Sequence, residues 1–295
     1  MKNNLKSIII SMKGLIIGNC SIDNKNGMNQ KGGPAIYQLP IFLALGVEVD
    51  LLTSVEGGYI KNIHGFNNIY NLKTDKTTSF KFGINNRKER RLKLIQKPIN
   101  YTFHKIPNAI FENNYNFVIF SGIAGELEID FINKLISSIK SENYILDLQS
   151  IVRRIDENGE VKINKIEMED LMKLQKFDII KGSDMEINLF EIIEKNAGKD
   201  FKNKILIETT NKGVINYLKN TIKKFNFDIV PENNIIDDTG SGDIFLACFS
   251  WMFIRTKNIE HAINFAHRVS SNLLRVNGVL GIKEADILIK KILTN

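Results

Sequence analysis

The feature that most constrains the fold is a regular alternation of short apolar runs and longer amphipathic stretches. Turn residues bound the apolar runs, which have the length of buried strands. Amphipathic stretches such as 129–140 and 187–196 place apolar residues at helical spacing. Strands that alternate with helices favour a parallel sheet covered by helices on both faces. The strand-like runs are residues 14–20, 49–55, 116–122, 144–149, 177–183 and 204–210.

The chain has no long Pro/Gly/Ser linker and no internal repeat. Its 295 residues, 43% of them hydrophobic, are enough to bury a large core. The sequence therefore predicts a single α/β domain over residues 1–295.

Residues 77–97 break the alternation, because apolar and polar side chains alternate there on both sides of a turn at 83–86. Period-two patterning around a Gly/Asn turn predicts a β-hairpin. A charged hairpin inserted in an α/β chain suits an edge sheet or a lid, although a surface ribbon without a role remains the alternative.

Composition argues against several classes of protein. Cys20 and Cys248 lie far apart, and with four histidines they suggest neither disulfides nor a structural zinc site. The net charge of +7 comes from lysines scattered among acids and asparagines, so no nucleic-acid partner is expected. Residues 1–20 resemble a signal peptide, but Lys13 interrupts the apolar run and no cleavage site follows. The sequence predicts a cytoplasmic protein without a membrane span.

Residues 235–249 allow two readings. Asp238-Thr239-Gly240-Ser241 matches the signature of aspartic proteases, which need two such carboxylate loops sharing one proton. This chain has one copy, and a long apolar segment suited to a buried helix follows it. The protease interpretation is therefore rejected.

The second reading is a phosphate-binding turn. Gly240 and Gly242 permit a tight turn and close approach of a phosphate. If a helix starts there, the N–H groups of Ser241, Gly242 and Asp243 point outward and attract an anion. Asp243 can accept a proton from an attacking hydroxyl, although an Asp at a helix start also suits a simple N-terminal cap.

Residues 237–243 resemble the C-terminal signature of ribokinase-like (PfkB) carbohydrate kinases. A Gly-Gly turn at 32–33, opening a helix that ends in Leu-Gly at 45–46, is similar to the N-terminal signature of that family. Residues 146–153 and the hairpin residues 90–94 resemble a subgroup that contains archaeal myo-inositol kinases. These matches occur in the expected order over most of the chain.

This resemblance implies a three-layer α/β/α sandwich with a mostly parallel central sheet and a small β lid that includes the hairpin at 77–97. It implies that ATP, with Mg2+, phosphorylates a hydroxyl of a small sugar or polyol, for which myo-inositol is the best candidate. A ribose or nucleoside kinase is the alternative on the same scaffold. A nucleotide- or sugar-binding sensor without catalysis is a third hypothesis. The lid allows either a monomer or a homodimer that pairs through it.

The resemblance also implies a set of acceptor-side residues. Asp243 matches the catalytic base, and Gly240, Ser241 and Gly242 match the anion hole. Asp23 and Arg153 also suit plainer roles, as a turn cap and as an exposed strand end. The positions matched to acceptor binding are Asp23, Gly32, Gly33, Gln149, Arg153 and Asp243.

The nucleotide side departs from the family pattern. Ser183 replaces the asparagine of an N-x-x-E element in which Glu186 would contact Mg2+ through water. Of the usual T-x-G-x-x-G stretch, at 208–213 here, only the last glycine remains, so a donor other than ATP stays open. Asp237 and Thr239 overlap a monovalent-cation site of some relatives, but its later ligands are not matched. The residues matched to the nucleotide are Lys181, Ser183, Glu186, Thr210, Gly213, Gly242 and His267.

Overall fold

The computed structural model describes most of the chain. The described residues are 12–84, 90–97, 99–123, 125–164, 166, 168–186, 201, 203–219, 221–276 and 278–294. Residues 1–11, the helix predicted at 187–196 and part of the predicted turn at 83–86 lie outside this set.

Within the described residues there are seventeen strands and nine α-helices. The strands are β1 (Met12–Ile17), β2 (Ser21–Lys25), β3 (Met28–Gly32), β4 (Val47–Thr53), β5 (Asn68–Asn71), β6 (Thr78–Ile84), β7 (Arg90–Gln96), β8 (Asn114–Tyr115), β9 (Phe117–Phe120), β10 (Lys140–Ser141), β11 (Tyr144–Asp147), β12 (Arg153–Ile155), β13 (Val161–Ile163), β14 (Ile179–Ser183), β15 (Ile205–Thr210), β16 (Gly213–Leu218) and β17 (Thr221–Asn226). The helices are α1 (Pro34–Ala44), α2 (Gly57–Ile60), α3 (Asn108–Glu112), α4 (Ile129–Ile136), α5 (Gln149–Val152), α6 (Met168–Lys173), α7 (Ser241–Thr256), α8 (Ile259–Leu273) and α9 (Ile282–Thr294). Short 3-10 helices occur at Phe103–Lys105, Leu174–Lys176 and Glu232–Asn234.

A nine-stranded sheet forms the centre of the molecule. Its strand order is β17-β16-β15-β14-β11-β9-β1-β4-β5. All neighbours from β15 to β5 are parallel, and β16 and β17 add an antiparallel edge. The six predicted strands correspond to β1, β4, β9, β11, β14 and β15, which confirms the mostly parallel sheet.

Alternating side chains of these strands supply two separate apolar cores, one on each face of the sheet. Ile16 of β1 packs into one core, to which α1, α7, α8 and α9 also contribute. Leu15 and Ile17 of the same strand point to the other core, with Ile132 and Leu135 of α4. Since both faces of the sheet are covered, its strands read as continuous apolar runs rather than alternating ones.

A second sheet of four strands has the order β3-β2-β6-β7 and contains the hairpin for which a lid was predicted; we call this sheet the lid. The antiparallel pairing of β6 with β7 confirms the predicted hairpin. The sequence did not predict that β2 and β3 join it, with β2 parallel to β6. Phe80 is buried on this sheet, and Phe82 and Leu92 pack with it. The lid therefore presents an apolar face.

The helices of the described residues include none that is both long and apolar enough to span a membrane.

Candidate active site

The turn before α7 depends on glycine at position 240. Gly240 has φ +81°, in the left-handed region, and α7 begins at the next residue. A Cβ at this position would lie 2.2 Å from the ring of Tyr37. Both the backbone conformation and the contact with α1 therefore exclude a larger side chain.

The first turn of α7 provides the donors of the predicted anion hole. Gly242 and Asp243 lie in that turn, where the helix has no carbonyl to accept from their N–H groups. The N–H of Ser241 differs from the expectation, because it donates to the carbonyl of Asp238 at 3.2 Å. The helix dipole adds positive potential at the two remaining donors. This end of the helix can therefore bind a phosphate through two N–H groups rather than three.

A cavity of 330 Å3 lies between the lid and the start of α7. We call it the acceptor cavity. Its lid-side wall contains Phe80, Phe82 and Leu92. Of the residues that the sequence placed at the acceptor and the anion hole, those lining the cavity are Asp23, Gly33, Gln149, Arg153, Gly240, Ser241, Gly242 and Asp243.

Gly32 contributes to this cavity only indirectly. Asp23 is buried and accepts a hydrogen bond from the Ser21 hydroxyl at 2.7 Å. A Cβ on Gly32 would lie 2.1 Å from Asp23 Oδ2. The glycine therefore leaves room for the Asp23 carboxylate, which faces the cavity.

Lys181 lies beneath the anion-hole turn, paired with a carboxylate that the sequence analysis did not single out. Its Nζ is 3.2 Å from Asp147 Oδ2, and both side chains are buried. A Cβ on Gly242 would lie 2.9 Å from the same Nζ. Burial alone would lower the pKa of Lys181, but Asp147, Glu186 and Asp243 outweigh it and raise that pKa. A permanent positive charge therefore underlies the turn.

Arg153 and Glu186 form a second ion pair in the cavity wall. Arg153 donates from Nε at 3.0 Å and from Nη2 at 2.7 Å to Glu186 Oε1. The N–H of Ser183 donates to Glu186 Oε2 at 3.0 Å. Burial opposes ionisation of Glu186, but Arg153 and Lys181 lower its pKa to about 2. Glu186 is thus ionised and held towards the acceptor cavity.

Asp243 has the chemistry of a base that works near neutral pH. Burial and the negative charge of Asp147 raise its pKa to about 7, against the smaller opposing effects of Lys181 and Arg153. A base with a pKa near the working pH can accept a proton from a substrate hydroxyl and remain ionised often enough to do so.

A second cavity of 520 Å3, the donor groove, lies on the other side of the turn. Its apolar wall includes Val214, Phe227 and Phe245. His267 lies in the same wall and stacks on Phe227, with ring centroids 3.7 Å apart. The nucleotide-side residues that line this groove are Ser183, Thr210, Gly213, Gly242 and His267. Lys181 and Glu186, also assigned to the nucleotide, line the acceptor cavity.

The two cavities meet at a common wall. Five residues line both of them: Ser183, Thr209, Asp238, Ser241 and Gly242. A phosphate bound at Gly242 can therefore be reached from both sides.

Residues that the sequence analysis missed lie around this wall. Asp238 belongs to the signature at 237–243 but was given no role in the site, yet it lines both cavities. Asp147 belongs to a segment noted for its family resemblance, but its pairing with Lys181 depends on the register of β11 against β14. Lys25 contacts the turn from the lid strand β2, which the sequence did not predict. Only the tertiary fold brings these side chains together.

The carboxylates present suit a hydrated Mg2+ ion. Mg2+ keeps several waters and takes one or two protein carboxylates together with substrate phosphates. Glu186 lines the acceptor cavity and Asp238 lines the common wall. In the described part of the chain, no group of three or more His, Cys, Asp or Glu side chains is arranged to bind a metal.

Comparison of the sequence with models of known protein families assigns the chain to one family. A family model described as pfkB family carbohydrate kinase matches residues 66–284. Among curated proteins, a ribokinase of Arabidopsis thaliana is 25% identical over 114 residues, which are 38% of this chain. The match covers 30% of that ribokinase, so the chain spans less than a third of its curated relative.

Solved structures show the same fold. A pyrophosphate-dependent kinase in the ribokinase family, complexed with a pyrophosphate analog and myo-inositol, has a TM-score of 0.73 and 22% identity. That superposition covers 93% of this chain and 99% of the other. Ribokinase of Arabidopsis thaliana complexed with ribose and ATP has a TM-score of 0.63 and 16% identity, covering 95% and 99%. These similarities confirm the ribokinase-like α/β fold.

Proposed function

Because the chain belongs to the PfkB family of carbohydrate kinases, we propose that it transfers a phosphoryl group from ATP to a hydroxyl of a small polyol, with myo-inositol preferred. The observation that carries this proposal is the meeting of two cavities at the start of α7, with Asp243 on the acceptor side.

The residues around the turn have separate roles in this reaction. Asp243 takes the proton of the acceptor hydroxyl while the oxygen of that hydroxyl attacks the terminal phosphorus of ATP. The bond from this phosphorus to the bridging oxygen breaks, and ADP leaves. The N–H groups of Gly242 and Asp243, with Lys181 beneath them, stabilise the negative charge of the transferring group. Glu186 and Asp238 would contact the waters of Mg2+, which neutralises phosphate charge when bound.

The lining of the acceptor cavity favours a small polyol. Its volume of 330 Å3 lies at the lower end of small-molecule sites, which span about 300–1,000 Å3. Asp23, Gln149 and Arg153 offer hydrogen bonds to several hydroxyls, and Phe80 and Phe82 cover the C–H faces of a ring. Myo-inositol is proposed because it has hydroxyls around its whole ring, and because the structurally similar kinase was complexed with it.

The donor groove favours a nucleotide. Its apolar wall suits an aromatic base, whereas pyrophosphate alone would leave that wall uncovered. Pyrophosphate remains the donor to compare, because the similar inositol complex is of a pyrophosphate-dependent kinase and the T-x-G-x-x-G element is incomplete here.

The substrate proposal is tested by a panel of acceptors and donors. Inositols, hexoses, ribose and nucleosides are each incubated with ATP, GTP or pyrophosphate, and the phosphorylated product is detected by phosphorus NMR, which reports all three donors. We expect the highest kcat/KM with ATP and myo-inositol. Preference for ribose or a nucleoside would reject the polyol, and preference for pyrophosphate would reject ATP. Binding of donor and acceptor without any product would favour a sensor.

The proposed base is tested by Asp243→Asn. We expect kcat to fall by about a hundred- to ten-thousandfold, the range of general-base effects, while the chain remains folded. The matched control is Asp286→Asn, because Asp286 lies on α9 in an exposed ion pair with Lys290. Near-normal turnover in Asp243→Asn would show that Asp243 is not the base of the reaction.

A further inference from the structure

A lysine of the lid holds the loop that precedes the anion hole. Lys25, at the end of β2, donates from Nζ to Asp237 Oδ2 at 2.5 Å and to Thr239 Oγ1 at 2.6 Å. The two charged side chains are only 19% and 10% exposed. The contact joins residues far apart in the sequence, so it forms only when β2 lies over this loop.

The Asp237 carboxylate organises the same loop from within. Its Oδ1 accepts from the N–H of Thr239 at 2.9 Å, and its Oδ2 also accepts from the N–H of Gly278 at 3.3 Å. Burial favours the neutral acid, but the donors from Lys25 and Thr239 outweigh it and lower the pKa of Asp237. The carboxylate is therefore ionised, with Lys25 as its counter-charge, immediately before Gly240.

The residues present do not fit a free monovalent cation at Asp237 and Thr239, the positions that overlap the monovalent-cation site of some relatives. A cavity of 10 Å3, room for about one water, lies beside them. A cation there would meet a carboxylate whose charge Lys25 already balances and would repel the ammonium. Much of the remaining wall is apolar: Ile244, Leu273, Val276 and Leu280.

We propose that Lys25 is a positioning residue that supplies the positive charge of this loop in place of a free monovalent cation. Its effect on catalysis rests on the proposed kinase function, whereas its effect on the folded loop does not. Asp23 lies two residues earlier on the same strand and so projects from the same face. Strand β2 therefore carries both a proposed acceptor ligand and the positive charge of the loop before the anion-hole turn.

The first test measures stability and needs no substrate. The melting temperature of the full chain is recorded in potassium, sodium and tetramethylammonium chloride at equal ionic strength. We expect no potassium-specific increase in the wild type. Lys25→Met leaves Asp237 without its counter-charge, so its melting temperature should be lower and should rise with potassium. A saturable, potassium-specific rise in the wild type would overturn the proposal.

The second test measures turnover with ATP and the best acceptor of the panel. We expect Lys25→Met to lower kcat by about ten- to a hundredfold, the scale of small misplacements at a reacting centre. Potassium or ammonium should restore part of kcat in Lys25→Met but leave the wild type unchanged. Lys25→Arg, which keeps the charge, should retain more activity than Lys25→Met. Equal kcat in Lys25→Met and the wild type would overturn the role of Lys25 as a positioning residue.

Lys31→Met is the matched control, since Lys31 lies on the neighbouring lid strand β3 and donates to the carbonyl of Asn62. It should show neither the potassium response nor the loss of kcat. If Lys25→Met does not fold, Asp237→Asn replaces it: the neutral amide leaves the Lys25 ammonium without its counter-charge, so the melting temperature should fall and should not respond to potassium. An unchanged melting temperature in Asp237→Asn would overturn the proposal. If no acceptor is phosphorylated, the proposed function fails while the melting experiment still decides the role of Lys25.

Discussion

At the scale of single residues, the site depends on how buried charges are paired around one turn. Asp147 and Asp243 are both negative when ionised, and Lys181 lies against both. Arg153 and Glu186 complete the charged groups that influence the Asp243 carboxyl. Because loss of water and the Asp147 charge dominate, Asp243 retains its proton to a higher pH than an ordinary aspartate does.

The pKa of Asp243 predicts how activity depends on pH. A base must be ionised to accept a proton, so kcat/KM should rise with pH through a midpoint near 7. In Asp147→Asn the pKa of Asp243 should fall, because the negative neighbour is gone while Lys181 and Arg153 remain. The midpoint should therefore move to lower pH, and the variant should lose a smaller fraction of its kcat/KM between pH 8 and pH 6.

Asp50→Asn is the control for this experiment. Asp50 is also a buried aspartate on a central strand, and it pairs with Lys13 at 3.3 Å. Its replacement should leave the midpoint unchanged. If Asp147→Asn leaves the midpoint as unchanged as Asp50→Asn does, Asp147 does not influence the pKa of the group that accepts the proton.

The sequence could identify the glycine turn, because its chemistry is local. Gly240, Gly242 and Asp243 carry their signal in their spacing alone. Lys181 and Glu186 were assigned to the nucleotide by resemblance, and their ion pairs with Asp147 and Arg153 hold both side chains in the wall of the acceptor cavity. Side-chain pairing across strands leaves no local pattern, so the sequence could not predict this placement.

At the scale of elements, the lid forms one wall of the acceptor cavity. Phe82 on β6 lines the acceptor cavity and packs with the small apolar cluster of the lid. An apolar cover excludes water from a bound donor phosphate, which limits hydrolysis. In the proposed reaction, the lid would therefore affect both acceptor binding and hydrolysis of the donor.

This role predicts the effect of Phe82→Ala. The variant should raise the KM for the acceptor several-fold and increase donor hydrolysis in the absence of acceptor, because a gap opens in the lid wall. Release of free phosphate, compared with phosphorylated acceptor, measures the second effect. Lys81→Ala is the control, since Lys81 is the adjacent exposed residue and successive side chains on a strand point to opposite faces. If Phe82→Ala and Lys81→Ala have the same KM for the acceptor and the same rate of donor hydrolysis, the apolar face of the lid does not influence the reaction.

The sequence predicted the buried strands better than the lid strands. The central strands are covered on both faces, and the resulting apolar runs are readable from composition. β2 and β3 contain Asp23, Lys25 and Lys31 and therefore read as polar turn sequence. They form strands because pairing with β6 satisfies their backbone, a long-range effect without a local signal.

At the scale of the whole molecule, the parallel sheet gathers the site from distant parts of the chain. Asp147 ends β11 and Ser183 ends β14, and these strands are parallel neighbours. Carboxyl ends of parallel strands meet at one edge of the sheet, where ligands bind in open α/β folds. The α/β architecture therefore predicts the edge at which the site lies, whereas the lid strands β2 and β3 and the contact of Lys25 were evident only from the folded chain.

The common wall between the two cavities has a consequence for the stereochemistry of the reaction. In the proposed reaction, donor and acceptor would approach the phosphate from opposite sides of this wall, which consists of Ser183, Thr209, Asp238, Ser241 and Gly242. In-line attack in a single displacement inverts the configuration of the three remaining oxygens around phosphorus. A donor made chiral at its terminal phosphorus with oxygen isotopes should therefore give a product of inverted configuration. Retention would require two displacements, and hence a phosphorylated enzyme between them.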